Sequence, residues 1–68
     1  MRDDYVNTRP QPNGDHEVHA ADCAWLPSKE NRRYPGQFSS CHGAVLDASK
    51  YYAKVNGCRR CSPACHTS

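Results

Sequence analysis

His19-Ala20-Ala21-Asp22-Cys23 and Cys58-Arg59-Arg60-Cys61 are the two stretches whose reading decides the fold of this 68-residue chain. Each carries two side chains that can ligate a metal, in tight pairs of the form His-x3-Cys and Cys-x2-Cys. A Cys-x2-Cys turn sets two sulfurs on one side of an ion with little strain, and a second pair from elsewhere in the chain closes the tetrahedron. A strand end and the turn after it can bring His19 and Cys23 to one ion. Neutral imidazole and three thiolates then give a Cys3His zinc site with no open position, which makes it structural.

Size supports the same reading. The hydrophobic fraction is 37% and the mean hydropathy is −0.95, both low for a domain that must stand on its own core. Met1 to Gly14 (MRDDYVNTRPQPNG) offers only Tyr5 and Val6 as sizeable apolar anchors, so residues 1–14 read as a disordered tail. Residues 15–64 are left for the zinc domain, and 65–68 for a C-terminal tail. About 50 residues is a size at which metal, disulfides or oligomerisation usually supplement the core. In such a protein the free energy of binding zinc is largely free energy of folding.

Within that domain, Asp15 to His19 is expected to enter a strand that delivers His19. Ala20 to Ser28 turns at Cys23 and stops at Pro27. Tyr34 to Phe38 reads as a strand with Tyr34 and Phe38 on one face. Pro35 and Gly36 confine that strand to an edge or bulge it. Ser39-Ser40 reads as a helix N-cap. Cys41, Ala44, Val45, Ala48 and Tyr52 recur at three- and four-residue intervals through CHGAVLDASKYYAKV and define one apolar helical face. Asn56-Gly57 supplies a left-handed stop just before Cys58. The expected architecture is therefore a small α+β zinc-stabilised domain: short antiparallel strands, one main helix and a Cys-x2-Cys knuckle after it.

The other Cys and His residues have less to recommend them. Cys41 reads as a small buried residue on the apolar helix face, although the first helical turn also favours a reactive thiolate. Cys41 as nucleophile with His42 or His66 as base is disfavoured, because adjacent helical residues project about 100° apart. Cys65 and His66 offer a second site with Cys41 and His42, or a Cys41–Cys65 bond on oxidation, but the expected state is a mobile tail. A thioredoxin-like role for Cys58 and Cys61 needs a parallel α/β scaffold that this length does not supply. A disulfide-stapled secreted peptide fits poorly with five Cys, an odd number, and with an N-terminus lacking a basic-then-apolar pattern. With no apolar run of membrane-spanning length, the expected compartment is the cytoplasm and the expected state a monomer.

Val18-His19-x3-Cys23, then Tyr34, Phe38 and Ser40, Ala44 and Ala48, and finally Gly57-Cys58-x2-Cys61-x-Pro63 resemble the metal-binding domain of Ada-type DNA repair proteins. The likeness covers about Asp15 to Pro63. It implies a strand carrying the first ligand, a turn the second, and a late Cys pair behind a helix, with His19, Cys23, Cys58 and Cys61 on zinc. The family's first ligand is a cysteine that accepts a methyl group from DNA. Zinc-held imidazole at His19 is a far poorer nucleophile, so the resemblance implies the fold and the metal without the enzyme.

The formal net charge of +2 falls to +1 once three thiolates bind one Zn2+, so the chain is no obligate polycation. Two partner classes follow. Arg32, Arg33, Arg59 and Arg60, with Lys50 and Lys54, form a basic footprint for nucleic acid if the second strand and the late turn lie side by side, with Tyr34 and Tyr51 as stacking faces. Trp25, Leu26 and Pro27 instead offer an apolar contact for a protein, although a lone Trp is expected in the core or over the metal.

Overall fold

The computed structural model describes residues 2–66. Its strands are β1 (Arg2–Asn7), β2 (His16–Ala20), β3 (Arg32–Phe38) and β4 (Val55–Gly57), with the helix α1 (Cys41–Ala48) between β3 and β4. Short 3-10 turns occupy Lys29–Asn31 and Pro63–Cys65. The strands form one sheet in the order β3-β1-β2-β4. β1 runs antiparallel to β2 and β3, whereas β2 and β4 are parallel, so the short strands form a mixed sheet whose antiparallel pairings are the expected ones. The α+β class stands.

The largest correction concerns the N-terminus. Residues 2–7 form an interior strand of the sheet and not a disordered tail; the expectation for Met1 lies outside the described residues. Polar composition misleads here because β1 gains a ladder on both edges, and ladder hydrogen bonds do not depend on side-chain hydrophobicity. The connection to β2 is a tight loop. Gly14 N–H donates to Gln11 O at 2.7 Å, and Asp15 N–H donates to the Asn13 side chain at 2.9 Å. Asn13-Gly14 is thus a hairpin signal, not the end of a tail.

Pleat alternation then separates two faces. Val6 and Val18 pair across β1 and β2 and face α1, where they form the core with Ala44 and Ala48. Phe38, Val45, Tyr52 and Val55 pack around these four. Tyr5 and His19 pair one position away and face the opposite side. Burying two valines is worth about 4 kcal/mol, which is modest against the entropy of ordering this chain.

β3 is an edge strand, as its proline requires, and its register against β1 shifts between Asp4 and Val6. This irregularity puts Tyr34 and Phe38 on different faces, contrary to the simple period-2 expectation. The Tyr34 ring lies 5.3 Å from that of Tyr5, while Phe38 packs against α1 at Gly43. A Cβ on Gly43 would meet Phe38 Cδ1 at 2.7 Å, so the glycine weakens the helix but lets it sit close to the sheet.

The helix begins where expected. Ser40 is the N-cap, and its side chain accepts from the His42 N–H at 3.3 Å. Cys41, Ala44 and Ala48 are buried along one face. It ends at Ala48, earlier than the periodicity implies, because distant partners claim the aromatic residues that follow. Arg33 stacks 3.5 Å from the Tyr51 ring centroid, and His16 stacks on Tyr52 at 3.9 Å. Val55, Asn56 and Gly57 then pair with His16, Glu17 and Val18.

Gly57 is therefore a strand residue, and its φ is not positive. A Cβ there would lie 2.5 Å from Cys65 Cβ and 2.8 Å from Ser62 O. Close approach, not a left-handed helix stop, is what requires glycine at this position.

Candidate metal centre

The ladder between β2 and β4 continues one step past Gly57: Cys58 N–H donates to Val18 O at 2.9 Å and lies beside His19. Ser62 N–H donates to Cys58 O at 2.7 Å, which folds Cys58 to Ser62 into a turn. After β2 the chain also turns at once, with Cys23 N–H donating to Ala20 O at 3.0 Å. These two turns close over His19 on the sheet face opposite α1.

His19, Cys23, Cys58 and Cys61 meet there, with their ligand atoms all within 4.8 Å of one another. His19 Nδ1 is 3.6 Å from Cys23 Sγ and 4.0 Å from Cys61 Sγ. Tetrahedral zinc with ordinary Zn–N and Zn–S bonds needs about 3.6 Å between nitrogen and sulfur, and about 3.8 Å between sulfurs. The donor set fits such an ion with small adjustments. His19 and Cys58 are buried, whereas Cys23 and Cys61 are half-buried.

The surroundings prepare the ligands. Glu17 Oε1 stands 3.4 Å from His19 Nε2, on the ring nitrogen turned away from the sulfurs. A carboxylate at that position favours the tautomer with the proton on Nε2, leaving the Nδ1 lone pair for a metal. Burial lowers the His19 pKa from its ordinary value and Glu17 only partly opposes this, so the imidazole is neutral near pH 7. Ala20 N–H donates to Cys61 Sγ at 3.3 Å, a contact that steadies a thiolate.

Beside the cluster lies an open groove of about 670 Å³ bordered by Asp3, Asp22, Cys23, Arg60 and Cys61. Trp25 does not join the core. It is 52% exposed, with the Arg60 guanidinium 5.4 Å from its ring.

The four arginines do not form one footprint. Arg32 and Arg33 belong to β3, and Arg59 and Arg60 follow β4, at the opposite edge of the sheet. Arg32 stacks 4.8 Å from the Tyr5 ring and donates to Pro27 O at 3.3 Å, whereas Arg33 turns to the helix side. Strand order, which the expectation left open, decides this.

A second cluster was harder to see. Cys41 and Cys65 form a disulfide between the first residue of α1 and the last 3-10 turn, so Cys65 is a buried anchor and not part of a mobile tail. An imidazole nitrogen of His42 lies within 4.8 Å of both sulfurs despite the divergent helical projection of residues 41 and 42. His66 turns away from this cluster, its Nδ1 3.1 Å from Gly57 O. The expected tail positions Thr67 and Ser68 lie outside the described residues.

Fold and site together define a small α+β module with Cys/His clusters at metal-binding distances. No family model, no curated protein and no solved structure matches the chain. No helix among the described residues is long and apolar enough to cross a membrane.

Proposed function

We propose that this chain is a non-enzymatic structural-zinc module that acts by presenting a binding surface. The observation that carries the proposal is the convergence of His19, Cys23, Cys58 and Cys61 from two distant stretches, with Glu17 behind the imidazole. Four protein ligands complete a tetrahedral shell and leave no position for a substrate. Zinc then ties the end of β2 to the turn after β4 and supplies folding energy that the small core lacks. The likeness to Ada-type domains belongs to the same proposal, on the strength of its motif order alone. His19 in the first ligand position speaks against methyl transfer.

Metal content tests the proposal directly. Freshly purified protein should carry one zinc per chain, and cobalt substitution should give the absorption of a tetrahedral thiolate site. Protein that holds no metal at those residues, yet keeps its fold, rejects it.

The binding surface we assign is the sheet face opposite α1, where Tyr34 and Trp25 are about half exposed. Arg32 stacks on Tyr5 and Arg60 on Trp25 along it, a pairing of rings and guanidinium planes suited to unstacked bases. Single-stranded nucleic acid is the proposed partner. Trp25 fluorescence should quench on titration with oligonucleotides, with an affinity that falls as salt rises. The exposure of Trp25 beside Leu26 and Pro27 favours a second reading, a protein contact. That reading is the one left standing if no oligonucleotide binds at low salt.

A further inference from the structure

The Cys41–Cys65 disulfide lies apart from the His19 centre, yet its chemistry is not that of a simple staple. It joins the helix start to the segment behind β4, and an imidazole nitrogen of His42 stands within ligand distance of both sulfurs. Ser40 Oγ, 3.2 Å from His42 Nδ1, holds that ring at the helix start. A hollow of about 360 Å³ bordered by His42, Val45, Leu46, Ser49, Ala64 and Cys65 opens beside them, with the buried Cys65 in its wall. Two sulfurs and one imidazole nitrogen are a borderline-soft donor set, the kind that selects zinc over hard cations.

We propose that reduction of the Cys41–Cys65 disulfide unmasks a second zinc site, held by both thiolates and His42. A reductant supplies two electrons: either a cellular dithiol, or a laboratory phosphine that takes the oxygen of water to become its oxide while the two protons of that water go to the sulfurs. With a dithiol, its two thiols become a disulfide, the Cys41–Cys65 bond breaks, and each sulfur takes up one proton. Zn2+ then binds the two thiols and releases both protons, forming two Zn–S bonds. The sulfurs need only part from bonding contact to about 3.8 Å, within reach of side-chain rotation. Cys41 lies at the positive end of the helix dipole, which favours its thiolate. Three protein ligands leave a fourth position facing the hollow, open to water or an exogenous ligand. The first centre is closed and structural; this one is redox-gated and open.

The experiment counts zinc per chain in the oxidised and the phosphine-reduced protein, with thiols titrated after denaturation to establish the state. Oxidised protein should show three thiols and reduced protein all five. The zinc count should rise by one on reduction, whatever its starting value, so the result is independent of the His19 centre. His42 is exposed, and His42→Ala should fold normally while weakening the added equivalent at least tenfold. A reduced protein with five thiols and no added zinc overturns the proposal. So does an added equivalent that His42→Ala leaves unchanged, or a disulfide that excess phosphine leaves closed.

Discussion

Glu17 Oε1 lies 3.4 Å from His19 Nε2, two residues away on the same strand and on the same face of the sheet. Strand alternation makes this pairing automatic: residues i and i+2 project together. A Glu-x-His stretch in β2 therefore delivers a candidate metal ligand together with a carboxylate placed to set its tautomer.

Glu17→Gln keeps the shape and removes the charge. Outer-shell partners of ligating histidines typically contribute about 10- to 100-fold in metal affinity. The variant should fold, and its zinc affinity, measured by competition with a chromophoric chelator, should fall by about tenfold. An unchanged affinity would show that the carboxylate does not support the ring.

β1 makes a different kind of prediction. As an interior strand it hydrogen-bonds to β2 and β3, and Val6 is 1% exposed. Removing residues 1–7 should abolish the dispersed proton NMR spectrum even with zinc present. Val6→Ala is the milder case and should cost about 2 kcal/mol in chemical denaturation. A truncated chain that keeps its dispersion would mean that β1 is dispensable.

These two cases show what the sequence makes legible. Cys and His are chemically specific, and among the five Cys and four His of this chain the tight pairs His19/Cys23 and Cys58/Cys61 stand out by spacing. So do β2 and the start of α1, marked by Ser40 and a helical period. β1 was hidden because its stability comes from two neighbouring strands, and its own composition (RDDYVN) is that of a tail. Asn13-Gly14, a turn signal between two short alternating stretches, was the available clue. The overlong helix has a related cause: Tyr51 and Tyr52 fit the helical period, but Arg33 and His16, far away in sequence, claim their rings. The Cys41–Cys65 bond was only one of several pairings, since nothing local to Cys65 reveals that Gly57 leaves room for it. Separation of the arginine pairs depended on strand order, which spacing does not encode.

Gly57 tests that last contact. It sits between the ladder to Val18 and the Cys65 side chain, with backbone of Ser62 and Cys65 inside 3 Å of any added Cβ. Backbone cannot swing aside as a flexible side chain can. Gly57→Ala should therefore destabilise by about 1–3 kcal/mol, the range for overpacking. Because Cys58 follows directly, the same variant should also bind zinc less tightly in the chelator assay. Wild-type stability in denaturant would refute the close packing.

Tyr34 gives a prediction readable by titration. Its hydroxyl donates to Asp3 Oδ1 at 2.6 Å, and this hydrogen bond, chiefly, raises the phenol pKa to about 12 from its ordinary 10.0. The sign follows from which state holds the proton. Between pH 10 and about pH 12 the folded chain keeps the Tyr34 proton while the unfolded chain loses it. The contribution to stability is thus complete below pH 10 and disappears as pH rises towards 12. The ring is half exposed and solvent screens the effect, so the readout is the phenolate absorbance itself. Tyr34 should titrate late in folded protein, and Asp3→Asn should return it to the ordinary range. Should Asp3→Asn leave the late phenolate titration unchanged, the bond between Tyr34 and Asp3 does not form in solution.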